Sequence, residues 1–134
     1  ATVEEAGRVF EAEVIEPALA SPPGVAQLVA VCDAFFEHLE RRRFPGGCFF
    51  INAAAETAPG TPVHDRTVAH KQNVLTWIRD LAHQAGAPDP DHLARALTLL
   101  LDGGLASGAL DANPDSPNTA RATADVLVRA ALQP

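Results

Sequence analysis

The sequence has no tyrosine and no methionine, a single tryptophan, Trp77, and a single lysine, Lys71, and each scarcity removes a class of reading. With one lysine and a net charge of −7, this piece lacks the cationic surface on which phosphate binding depends, so it is not expected to hold nucleic acid itself. Two cysteines spaced like Cys32 and Cys48 sketch neither a metal site nor a disulfide framework. No stretch alternates β-branched residues for long enough to make a strand, which leaves an all-helical chain. There is no signal peptide, transmembrane run or lipidation motif, so the expected setting is cytoplasmic, with no membrane partner. A chain without methionine also lacks an initiator, and the expectation is a piece trimmed from something longer.

What is present suits one compact domain over residues 1–134, since 47% of the residues are hydrophobic and 20% charged. The most organised stretch runs from Arg41 to Glu56. Three arginines, Arg41, Arg42 and Arg43, close one helix where cations favour the negative end of its dipole, and Glu37 supports Arg41 four residues on. Phe44-Pro45-Gly46-Gly47 then breaks the chain, and a short, very apolar helix begins near Cys48. Asn52 and Glu56 share one face of that helix, where each needs a partner from the protein or from a ligand.

Residues 3 to 16 read as a helix that starts without a clear cap and is limited by Pro17. Four later helices are announced by a short polar capping residue followed by proline: Ser21-Pro22, Thr61-Pro62, Asp89-Pro90 and Ser116-Pro117. The first runs to Arg43, with Val25, Leu28, Val29, Cys32, Phe35, Phe36 and Leu39 at helical spacing on its apolar face. The second runs to about Gln84 and is ended by Gly86; Val74, Leu75, Ile78, Leu81 and Ala82 form its packed face, beside a ridge of His70, Asn73 and Trp77. Such a ridge suits a cavity wall, and equally an ordinary rim with a half-buried tryptophan.

Between Ala94 and Leu110 only Arg95 and Asp102 are charged, and leucines at 97, 99, 100, 101, 105 and 110 surround the helix, which is therefore buried on more than one side. Gly103, Gly104, Ser107 and Gly108 weaken it, each glycine by roughly 1 kcal/mol against alanine, and close helix approach is the natural compensation. The last helix, to about Leu132, carries Ala120, Ala124, Leu127, Val128 and Ala131 on one stripe. These last two helices suit a four-helix dimer interface formed by Leu99, Gly103, Ala106, Ser107 and Leu110 with the stripe just named.

Phe44-Pro45-Gly46-Gly47-Cys48-Phe49-Phe50, the Ala-rich helix ending near Glu56, the long helix with Trp77 and the run Leu100-Leu101-Asp102-Gly103-Gly104-Leu105 together resemble the C-terminal regulatory domain of TetR-family transcriptional regulators. The resemblance implies an antiparallel bundle of about six helices that binds a small-molecule effector, forms a homodimer through its last two long helices and needs no cofactor or metal. Operator DNA would be reached only through an N-terminal helix-turn-helix domain that this sequence does not contain, most often to repress transcription. It also implies that residues 3 to 16 are the connecting helix, with Phe10 and Val14 facing the cavity. The pocket expected on this basis adds Cys32, Phe35, Phe36, Leu39, Phe49, Asn52, Glu56, His70, Asn73, Val74, Trp77, Leu101 and Leu105, for a mostly hydrophobic compound, with Glu56 leaving room for a cation.

Two other classes compete. A helical dimerisation module with a filled core keeps the last two helices and loses the pocket. A small helical enzyme has only His64, Asp65, Arg66 and His70 to work with; His64 and His70 sit poorly for one helical face, and no phosphate loop, nucleophile elbow or paired-histidine motif is present. No catalysis is expected.

Overall fold

A computed structural model describes the backbone of residues 2–42, 53, 55–111 and 115–133, and the side chains of these except 39–42, 105 and 108–111. The elements among the described residues are helices joined by turns: α1 (Val3–Phe10), a π-helical turn (Glu11–Ile15), α2 (Glu16–Leu19), α3 (Val25–Arg42), α4 (Pro62–Gln84), α5 (Pro90–Asp111) and α6 (Asp115–Leu132). Phe44 to Cys48, Phe49 and Asn52 lie outside the described residues, as do the side chains of Leu39, Leu105 and Leu110.

The helix ends follow from a few residues. Contrary to the uncapped start expected from the sequence, Thr2 caps α1 with a full capping box: its hydroxyl accepts from the Glu5 amide at 3.1 Å, and the Glu5 carboxylate accepts from the Thr2 amide at 3.1 Å. Pro17 does not stop this helix either. The chain widens into the π-turn just before it, with the Glu16 amide bonded to the Glu11 carbonyl, and continues to Leu19. Widening a turn is one way to seat a proline whose ring would otherwise meet the carbonyl four residues back.

Thr61-Pro62 and Asp89-Pro90 start α4 and α5 as expected, with the Thr61 hydroxyl and the Asp89 carboxylate accepting from the amides of His64 and His92. The other two pairs are displaced. After Ser21-Pro22 the helix waits until Val25, because Pro22 precedes a second proline, which disfavours helical angles, and Gly24 follows at φ 130°. At the other end α6 begins at Asp115, so Ser116 and Pro117 lie inside its first turn, where free amides are in excess. Gly86, at φ 86°, closes α4: its amide bonds the His83 carbonyl and the Ala87 amide bonds the Ala82 carbonyl.

The core is one cluster to which every helix contributes. Phe10, Val14 and Ala18 come from the first segment, Leu28, Val31, Cys32, Phe35 and Phe36 from α3, and Val74, Ile78 and Leu81 from α4. Leu93, Leu97 and Leu101 of α5 meet Ala120, Ala124 and Val128 of α6. The helix pairs α5 with α6, α4 with α5 and α3 with α6 make the largest contacts. Ion pairs tie neighbours together at the rim, among them Lys71 with Asp102 at 2.6 Å, Arg121 with Asp33 at 2.7 Å, and Arg66 with Glu4. No described helix is long and apolar enough to cross a membrane.

Candidate functional site

The leucine-rich α5 has an inside and an outside. Leu93, Leu97 and Leu101 are buried while Leu99 is 68% exposed, so α5 is covered on one side within this chain rather than all round. Gly104 explains how α6 comes so close: a methyl group built on it would lie 2.5 Å from the Ala120 Cβ and 3.6 Å from the Phe36 ring. Ala120, Ala124 and Val128 are therefore core residues of this chain, while Leu127 and Ala131, on the same stripe expected for pairing, are half-buried. Leu99 and Gly103 remain exposed, Ala106 and Ser107 half-buried, and Val126 on α6 is 63% exposed. Leu99, Leu100, Gly103 and Ser107 face Ser116, Thr119 and Thr123 across a shallow groove of about 310 Å³.

The residues expected around a pocket are split by the fold. Phe36 points to the Gly104–Ala120 seam, and Cys32 lies on a second groove, of about 330 Å³, between α3 and α6 with Val29, Asp33, Asn118, Arg121 and Asp125. Burial first, then the Asp33 charge, pushes the Cys32 thiol up to about 12, so it behaves as a small apolar side chain and not as a nucleophile. Val74 and Leu101 are buried, Trp77 is half-buried against the core, and Asn73 and Glu56 are exposed and stand apart from the rest. Sequence spacing placed Asn73 on the ridge with His70, but the helix turns it to solvent.

What the fold does bring together is a node on the first segment. The Phe10 ring is 3% exposed and is met edge-on by three rings: Phe35 at 5.6 Å and 78°, His38 at 6.0 Å and 88°, and His70 at 5.2 Å and 85°. One turn on, in the π-turn, the Glu13 carboxylate accepts a 2.6 Å hydrogen bond from Nδ1 of His38, which is 6% exposed. A carboxylate can only accept, so the proton sits on Nδ1. Phe10 and His70 were legible from the sequence. Glu13 and His38 were missed, since each reads as a polar residue on its own helix and only the contact across 25 residues of sequence reveals the pair.

Burial, with a smaller contribution from Lys71, holds His70 down at about 4, against an ordinary 6.5, so the ring facing Phe10 is neutral. The unfolded chain takes up a proton at His70 between those values while the folded chain does not. Stability is therefore expected to fall as pH drops from about 6.5 toward 4. Melting temperatures across that range should fall less steeply in His70→Gln than in the native chain; parallel slopes would show that His70 is not held neutral by the fold.

The four residues that tempted a catalytic reading are dispersed. His64 Nδ1 lies 3.0 Å from the Thr57 carbonyl oxygen, Arg66 pairs with Glu4, Asp65 is exposed, and His70 faces Phe10. Among the described residues no group of three or more His, Cys, Asp or Glu side chains is placed to hold a metal ion.

Comparison with known proteins agrees with the architecture. Residues 24–124 match the family model of the tetracyclin repressor-like C-terminal domain. A crystal structure of a TetR-family transcriptional regulator from Streptomyces coelicolor is similar at a TM-score of 0.84 and 30% sequence identity, over 98% of this chain and 69% of that one. Among curated proteins nothing matches the sequence.

Proposed function

The chain belongs to the TetR family of transcriptional regulators, as that family's C-terminal domain, and on that premise we propose that it senses a small, mostly hydrophobic effector, pairs with a second copy, and relays the bound state to an N-terminal DNA-binding domain that represses transcription. The observation that carries this reading is the node at Phe10, because it ties the first helical segment to α3 and α4 through ring contacts and one part-buried polar pair. A compound that rearranges the node also moves that segment.

Relay is a matter of differential affinity. An effector changes DNA binding only as far as it binds more tightly to one spacing of the paired DNA-reading helices, which sit about 34 Å apart on successive turns of the duplex. Pairing supplies the fixed reference, and the exposed Leu99 and Val126 beside the α5–α6 groove support that face for it.

Thermal melting of the purified chain against hydrophobic and cationic compounds tests the reading. A ligand that binds only the folded state stabilises it by about 2.7 kcal/mol at a hundred times its Kd, a saturable rise in Tm. Silence across the whole set would favour the dimerisation module with a filled core.

A further inference from the structure

The groove between α3 and α6 is made by two facing helix stripes. Val29, Cys32 and Asp33 recur at helical spacing on α3, and Asn118, Arg121, Ala122 and Asp125 do so on α6, around about 330 Å³ of space. That is the small end of the range for ligand sites, which begins at about 300 Å³. Cys32 is the most buried of these residues, and with Val29 and Ala122 it gives the groove an apolar floor.

The charges in the wall do not cancel. Arg121 is engaged by two carboxylates of α3, with its Nε 2.7 Å from Asp33 Oδ1 and its Nη2 3.6 Å from Glu37 Oε1. One turn along α6, Asp125 Oδ2 accepts from Nε of Arg129 at 2.9 Å. Asp33 and Asp125 thus each use one oxygen on a guanidinium. A carboxylate accepts through both oxygens, so each keeps one for a further donor.

The Cys32 thiol reports the sign of the field at the floor. Burial is the largest cause of its raised pKa; Asp33 and then Asp125 follow, and each outweighs the opposing effect of Arg121. Negative potential therefore reaches the apolar floor although a guanidinium stands in the wall.

We infer that this groove binds a small organic cation, a primary ammonium on a short apolar body, with the ammonium between Asp33 and Asp125 and the body over Val29, Cys32 and Ala122. An anion meets the same field with the wrong sign, and a neutral compound gains nothing from it. The site shares no residue with the Phe10 node and does not depend on the sensor reading. A cation bound there touches α3 and α6 at once, beside the point where Asp33 and Arg121 already meet.

Butylammonium, butanol and butyrate are the probes, since they set a positive, a neutral and a negative head on similar apolar bodies. They are titrated into the native chain at low ionic strength and followed by amide chemical shifts. Butylammonium is expected to bind with a Kd of about 1–10 mM, about tenfold or more tighter than butanol, and butyrate more weakly than either. The shifts should centre on residues 29–33 and 118–125. Salt at about 0.5 M should weaken the ammonium and leave butanol as it was. Asp125→Asn should weaken butylammonium about tenfold without changing butanol. Arg121→Gln should tighten butylammonium about threefold, because it removes the opposing charge; loss of a merely structural clasp would weaken every probe. Each variant is first shown to melt cooperatively. Should Arg121→Gln not fold, Asp125→Glu takes its place, and by keeping the charge it should hold butylammonium within about threefold of native. Equal affinity for butylammonium and butanol, shifts centred elsewhere, native binding in Asp125→Asn, or weakened ammonium binding in Arg121→Gln would each overturn the site, and none of these results bears on the Phe10 node.

Discussion

Gly104→Ala is expected to destabilise the domain by about 1–3 kcal/mol, although alanine is the better helix former by roughly 1 kcal/mol. The sign is set by geometry. The added methyl would lie 2.5 Å from the Ala120 Cβ, and neither carbon has a rotatable bond with which to escape, so α5 and α6 would have to separate. Separation also loosens Phe36, whose ring lies 3.6 Å from the same position. Gly103, one residue earlier, is exposed and has nothing within 4 Å of the corresponding point, so Gly103→Ala should stabilise by about the propensity difference. Urea melts of the two variants should therefore move in opposite directions from the native midpoint. Adding Ala120→Gly should recover much of the loss in Gly104→Ala, since it removes the atom in the way. A pair of shifts with the same sign would mean that the two helices do not approach as closely as the structure has them.

This same pair of glycines shows where sequence reading stops. Periodicity and the small residues in Leu100-Leu101-Asp102-Gly103-Gly104 indicate that something comes close to α5, but not whether it belongs to this chain or to another copy. The fold answers for Gly104, with Ala120 as its neighbour, and the stripe Ala120, Ala124 and Val128 is absorbed into the core. A stripe of small residues records burial; its partner is a tertiary fact. Caps were legible where the chemistry was purely local, as at Thr61-Pro62 and Asp89-Pro90. Ser21-Pro22 misled because the next two residues, Pro23 and Gly24, overrule the signal, and the spacing of Thr2 and Glu5 carried a capping box that went unread.

The candidate site was legible in its apolar part only. Phe10, Phe35 and His70 lie where helical spacing turns them inward, and they meet. Glu13 and His38 could not be found this way, because a polar side chain on an amphipathic helix reads as solvent-facing until a partner on another helix is known. The reverse error accounts for Asn73, which shares a ridge with His70 in projection yet is turned out to water.

Leu99→Glu is expected to raise the dissociation constant of the proposed homodimer by about a hundredfold or more while leaving the fold of each copy within about 0.5 kcal/mol. Leu99 is 68% exposed in the single chain, so most of what its burial can contribute is still to be gained on pairing. Full burial of a leucine is worth about 1.5–3 kcal/mol, which leaves roughly 1–2 per copy, and a twofold axis counts every substitution twice. A carboxylate forced into the same place adds its own desolvation cost. Val126, 63% exposed and three residues beyond the groove residue Thr123, shares that face, and Val126→Glu should act in the same direction. Val68, an exposed residue of α4 that does not line the groove, provides the control: Val68→Glu should leave association unchanged. Sedimentation over a range of concentrations, with melting curves to confirm folding, separates the outcomes. If the Leu99 and Val126 variants associate as the native chain does, the outer face of α5 and α6 is not the pairing surface. The effector-driven movement proposed for α1 would then have to be referred to a different fixed frame.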